Sequence, residues 1–81
     1  MVSGAQIRAA RALLGWTARD LARRAIVSVS TVNLIEGAGF ASATREQLAA
    51  VQTALQAAGI EFLSGDAPGV RLHPKGTKQE R

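Results

Sequence analysis

Four times in this chain a Ser or Thr stands just ahead of a segment whose apolar residues recur at helical spacing: Ser3, Thr17, Ser28 and Thr44. Three of the four are followed three residues later by Gln6, Asp20 or Gln47. A hydroxyl in that position accepts a hydrogen bond from an otherwise orphaned backbone N–H of the first turn. An acidic or amide side chain three residues on returns the favour to the cap's own N–H. A chain punctuated this often by helix starts cannot form one long helix or a sheet sandwich. It must fold as several short, separately capped helices packed on one another.

The first helix carries Ile7, Ala10 and Leu14 on one stripe, stapled by Val2 and Ile7, and Gly15 supplies a left-handed stop. Arg8 and Arg11 fall away from that stripe, on a solvated face. The second, about two turns long, turns Leu21, Ala22 and Ala25 inward and Arg19, Arg23 and Arg24 largely outward. Trp16 reads as a structural clamp between these two helices rather than a ligand-stacking residue. The third is capped by Ser28, with Val27 and Val32 as its staple and Ile35 continuing the buried stripe to a stop at Gly37. Residues 37–43 read as a loop, with Phe40 plugging a gap in the core. The fourth buries Leu48, Val51, Leu55 and Ala58 and stops at Gly59.

The period then changes. Ile60-Glu61-Phe62-Leu63 and Val70-Arg71-Leu72-His73 roughly alternate across a stretch of turn residues, which predicts two short strands in a hairpin. The last eight residues from Pro74 lack apolar content and read as a mobile basic tail.

Composition narrows the function. The chain has 81 residues, 47% of them hydrophobic, which fits one small globular domain. With no cysteine there is no disulfide framework, thiolate metal site or thiol nucleophile. The single His and six scattered acids form no nucleophile–base constellation, so the reading is not an enzyme and calls for no cofactor. Charges interrupt every stretch before about 18 apolar residues accumulate, and the first residues lack a basic, apolar leader. The expectation is therefore a cytoplasmic, nucleoid-associated protein without a membrane partner. Ten Lys and Arg against six acids give +4, which permits attraction to nucleic acid without requiring it. A core this small, without covalent or metal staples, often leans on a second copy of itself.

Two short capped helices joined by about three residues, with small Ala22 at the close approach, form a helix-turn-helix layout. Residues 3–58 resemble the lambda-repressor/Cro-type, xenobiotic-response-element helix-turn-helix domain of bacterial and phage regulators. The resemblance is carried by residues 6–17 in the first helix and turn, and by Leu21-Ala22, Val27-Ser28, Ser30-Thr31-Val32 and Ile35-Glu36. It implies a mainly α, four-helix domain over residues 1–59, followed by a β-element over 60–73 of the kind that helps some small members dimerise. Three positions depart from that family: Ala18 replaces a phosphate-clamping Gln, Ile26 replaces a left-handed Gly, and residues 28–36 contain no cation. A β-branched residue in a left-handed turn costs about 1–2 kcal/mol.

The implied partner is double-stranded DNA, read by the third helix. Asn33 suits adenine, Ser30 and Thr31 suit a base edge or phosphate, and Val29 suits a thymine methyl, favouring an A·T-containing half-site. Equally, Ser30 and Thr31 complete the helix terminus and Leu34 joins the core. Phosphates would fall to the helix N-termini, including Ser28, to Arg19 and Arg45, and to Arg8, Arg11 or Arg23. Dimerisation would use Ile60, Phe62, Leu63, Val70 and Leu72, whose strand edge otherwise invites aggregation. The sequence favours a small homodimeric repressor on a pseudopalindromic operator. The alternative, motivated by Ala18, Ile26, Val29 and Leu34, is an antiactivator- or antitoxin-like module that captures a second regulatory protein.

Overall fold

A computed structural model describes residues 2–37 and 42–74. The cap signals become four helices: α1 (Gly4–Leu14), α2 (Ala18–Ala25), α3 (Val29–Glu36) and α4 (Arg45–Ala57). Ser3, Thr17 and Thr44 each close a reciprocal capping box with Gln6, Asp20 and Gln47. Ser28 caps α3 alone, its Oγ accepting from the Thr31 N–H at 3.0 Å. Phe40 and the tail beyond Pro74 lie outside the described residues.

The apolar stripes meet in one core of Ile7, Ala10, Leu21, Ala22, Ala25, Val32, Ile35, Val51, Leu55 and Ile60. Six of these are large and fully buried, each contributing about 1.5–3 kcal/mol through its side chain. Val2, Leu14, Trp16, Val27 and Leu48 pack on its margin, which places the expected staple residues where the caps need them. Gly4 lets the start of α1 lie against the end of α3. A Cβ there would sit 2.5 Å from the Ile35 carbonyl oxygen.

The hairpin forms within the chain. β1 (Ile60–Leu63) pairs antiparallel with β2 (Gly69–Leu72) in the register Ile60 to Leu72 and Phe62 to Val70. The second strand therefore starts one residue earlier than its alternation suggests. His73 extends the pairing by donating its N–H to the Gly59 carbonyl at 2.9 Å. Gly59 has φ 107°, and a Cβ there would meet the His73 oxygen at 2.8 Å, so only glycine lets α4 run into β1 beneath that bond. Ile60 is 4% exposed and belongs to the chain's own core, while Phe62 and Val70 pack against it.

One polar side chain joins the two halves. Gln6 is buried, and its Oε1 accepts from the Ser3 N–H while its Nε2 donates to the carbonyls of Leu63 (2.7 Å) and Gly69 (2.9 Å). Its amide is thus fully engaged, as burial demands.

Candidate nucleic-acid interface

The turn between α2 and α3 is built on Ile26, at φ 58° and ψ 49°. The N–H groups of Ile26 and Val27 both bond the Ala22 carbonyl, closing α2 in a left-handed cap before Ser28 opens α3. The turn keeps the geometry that glycine usually serves. The Ile26 side chain is 89% exposed, so no burial offsets the strain of a β-branched residue there.

The rear of α3 is fixed by more than its apolar stripe. Val32 and Ile35 are fully buried, and Glu36 forms a two-pronged ion pair with Arg11: Nε to Oε2 at 2.8 Å and NH2 to Oε1 at 2.9 Å. The remaining Arg11 nitrogen donates to the Trp16 carbonyl at 3.1 Å, bracing the turn between α1 and α2. Hydrogen bonding to Glu36, helped by its charge, holds the Arg11 guanidinium above its ordinary pKa against the opposing effect of burial. Arg8 donates to the Glu36 carbonyl at 2.6 Å, satisfying the end of α3. These contacts correct the expectation for Arg11, which is partly buried against α3 and not idle on a solvated face, whereas Arg8 stays exposed and reaches the end of α3 from there. Arg23 is likewise paired, 2.9 Å from Asp20.

The front of α3 follows from the same periodicity. Ser30, Asn33, Leu34 and Gly37 stand at i, i+3, i+4 and i+7, and all are exposed, opposite Val32 and Ile35. Leu34 is therefore outside the core, at 37% exposure. Among the described residues, the side chains of Ser30 and Asn33 make no hydrogen bond and keep their donors and acceptors free. Val29 and Thr31 flank this stripe half-buried. Val29 packs on the core margin, and the Thr31 hydroxyl lies 2.9 Å from the Ser28 hydroxyl. Thr31 thus completes the helix terminus, whereas Ser30 does not.

Arg19 stands exposed in the first turn of α2, and Arg45 is exposed at the first position of α4. Ala18, where the phosphate-clamping Gln of the resembled family would be, packs on the core margin. No Lys or Arg occurs between Arg24 and Arg45, so the exposed face of α3 is neutral and the cations flank it in sequence. Of the five residues expected to mediate dimerisation, Leu72 is exposed at 37%, Leu63 is half-buried, and Ile60, Phe62 and Val70 are engaged in their own chain.

Sequence reasoning missed Glu36 and the second role of Gln6. The Arg11–Glu36 pair spans 25 residues and the Gln6 contacts span 57 and 63, distances over which local periodicity carries no signal. The available hint was opposite charges beside two buried stripes on helices that must pack together.

Compared with known families, residues 7–37 match the family model described as Helix-turn-helix, a span running from early α1 to the cap of α3. Families of this type are DNA-binding regulatory domains. No curated protein matches the chain. Among the described residues no helix is long and apolar enough to cross a membrane.

Proposed function

We propose, from the premise that residues 7–37 are a helix-turn-helix of the Cro/C1 type, that this chain is a sequence-specific transcriptional regulator. It acts as a homodimeric repressor, each copy laying α3 in a major groove. The observation that carries the reading is the exposed stripe of Ser30, Asn33 and Leu34, uncommitted within the chain and backed by a rigidly tethered rear face. Asn33 reads adenine through its amide, Leu34 meets a thymine methyl, and Ser30 bonds a base edge or phosphate. Arg19, Arg45 and the N-termini of α2 and α3 hold the backbone. Half-sites then lie about 34–36 Å apart on a pseudopalindrome.

The second copy adds along the hairpin. A two-stranded sheet has an outer backbone edge on each strand. Three of its apolar side chains, Ile60, Phe62 and Val70, already serve the core, so the backbone edge is the main surface left to pair. Sedimentation equilibrium at micromolar concentration should give a dimer; a monomer would remove this element. Truncation at residue 60 is a poor test, because it takes Ile60 out of the core.

A gel-shift titration against the DNA flanking the gene should show binding that weakens steeply with salt. Asn33→Ala should cost about 1–3 kcal/mol on the preferred site and little on random DNA. A folded protein that binds no DNA, or binds it independently of salt, overturns the reading. The exposed Leu34 and Ile26 and the absence of a cation on α3 favour a second reading, capture of another regulatory protein. Leu34→Arg separates the two: it abolishes protein capture but only retunes DNA affinity.

A further inference from the structure

We propose that the chain carries a binding site for a small apolar carboxylate, apart from the α3 face. Between the end of α1, the end of α4 and the close of β2 lies an open trough of about 450 Å³. Its walls include Leu13, Leu14, Trp16 and Leu72, and its floor is formed by alanines at the end of α4. The volume falls in the range of roughly 300–1,000 Å³ occupied by small-ligand sites, which are mainly apolar with a few placed polar groups.

Here the polar groups are Arg24 and His73. The Nε2 of His73 lies 2.7 Å from the Glu61 carboxylate and is already partnered. Arg24 is different. Its guanidinium carbon stands 4.6 Å over the Trp16 ring, an arrangement that fixes the cation by attraction to the π face. Among the described residues it makes no ion pair or side-chain hydrogen bond, in contrast to Arg8, Arg11 and Arg23. A planar fork of donors beside a greasy wall is complementary to a carboxylate on an apolar body. Leu13, 49% exposed, and Leu72 are the apolar surface such a body would cover.

The wall that presents Arg24 is the last turn of α2, which leads directly into the Ile26 turn and α3. The site therefore lies close in the chain to the proposed reading helix, though its occupancy can be measured without DNA, so the two proposals fail separately.

Trp16 is the single tryptophan and lines the site, so its fluorescence reports binding. The full chain is titrated with octanoate and, separately, with octanol. Octanoate should give a saturable change and bind about tenfold or more tighter than octanol, the difference expected for charge-assisted hydrogen bonds. Arg24→Gln should erase that preference. Ala57→Phe, which fills the floor, should abolish binding of both. Calorimetry on the same variants guards against a direct effect of Arg24 on the Trp16 signal, and circular dichroism establishes that they are folded. No saturable change with octanoate, equal affinity for octanol, or an unchanged preference in folded Arg24→Gln each overturns the proposal.

Discussion

The two turns that flank α2 solve the same problem with opposite resources. Each ends a helix in the left-handed region and opens the next with a hydroxyl cap: Gly15 at φ 70° before Thr17, and Ile26 at φ 58° before Ser28. The first uses the residue suited to that backbone and is braced from outside, because Arg11, itself held by Glu36, donates to the Trp16 carbonyl. The second uses one of the least suited residues and leaves its side chain in solvent. Backbone geometry at a helix end is thus set by the capping bonds on either side, not by the preference of the residue between them. The exposed side chain of Ile26 stabilises nothing in this chain, and the structure offers no packing reason for its presence.

The largest effect should come from removing the brace. Arg11→Met leaves the Glu36 carboxylate, 8% exposed, without its cation and releases the first turn. It should lower stability by about 2–4 kcal/mol in urea unfolding, discounted from fully buried pairs because Arg11 itself retains some solvent contact. A loss below about 1 kcal/mol would mean that the brace is decorative and the turns differ only in their central residue.

Transferring the strain comes next. Gly15→Ile should cost about 1–2 kcal/mol. A Cβ at residue 15 meets nothing within 4 Å, so any loss is backbone strain and not a clash. Relief of strain in the other turn is smaller. Ile26→Gly should gain about 0.5–1 kcal/mol, since glycine's greater freedom in the unfolded chain offsets part of what is recovered. The melting temperature then rises by roughly 2–8 °C. A fall would show that the Ile26 side chain packs against the fold after all.

The smallest effect distinguishes the caps. Asp20 accepts from the Thr17 backbone N–H at 2.9 Å, and that bond, with the Thr17 side chain and Arg23 nearby, holds its carboxyl below its ordinary pKa. A depressed folded-state value favours the native state above the unfolded value. That contribution fades as pH falls through the folded one, so the window lies below about pH 4. The cap after the second turn, Ser28 with Thr31, has no ionisable group. Acidification should therefore lower the protection of the Thr17 amide, relative to its intrinsic exchange rate at each pH, and leave that of Thr31 unchanged; a parallel loss at both would mean general loosening.

These turns also mark how far the sequence could be read. Every helix start is legible, because a cap is a contact between residues three apart, and so is the left-handed stop at Gly15; the Ile26 turn is not, since a β-branched residue there leaves open whether the backbone keeps that geometry. The free edge of α3 was legible only in part. Helical spacing puts Ser30, Asn33 and Leu34 together, but the half-burial of Val29 and Thr31 depends on which neighbours α3 leans against. Arg11 misled for the same reason. On α1 alone it points away from the apolar stripe, and only the placement of α3 beside it turns a solvated face into an anchor. The hairpin strands were legible from their alternation, whereas their attachment was not, since Gln6 already had a sufficient local explanation in its capping box.

That glutamine ties the opening turn of the chain to the mouth of its last hairpin. A single amide grips carbonyls on both strands while completing the cap of α1. The first helix cannot fray at its start without loosening the hairpin, and the hairpin cannot open without unsettling that cap. In native-state hydrogen exchange the start of α1 and the hairpin should behave as one cooperative opening unit. Damage to either element would then register as a change in the same part of the molecule.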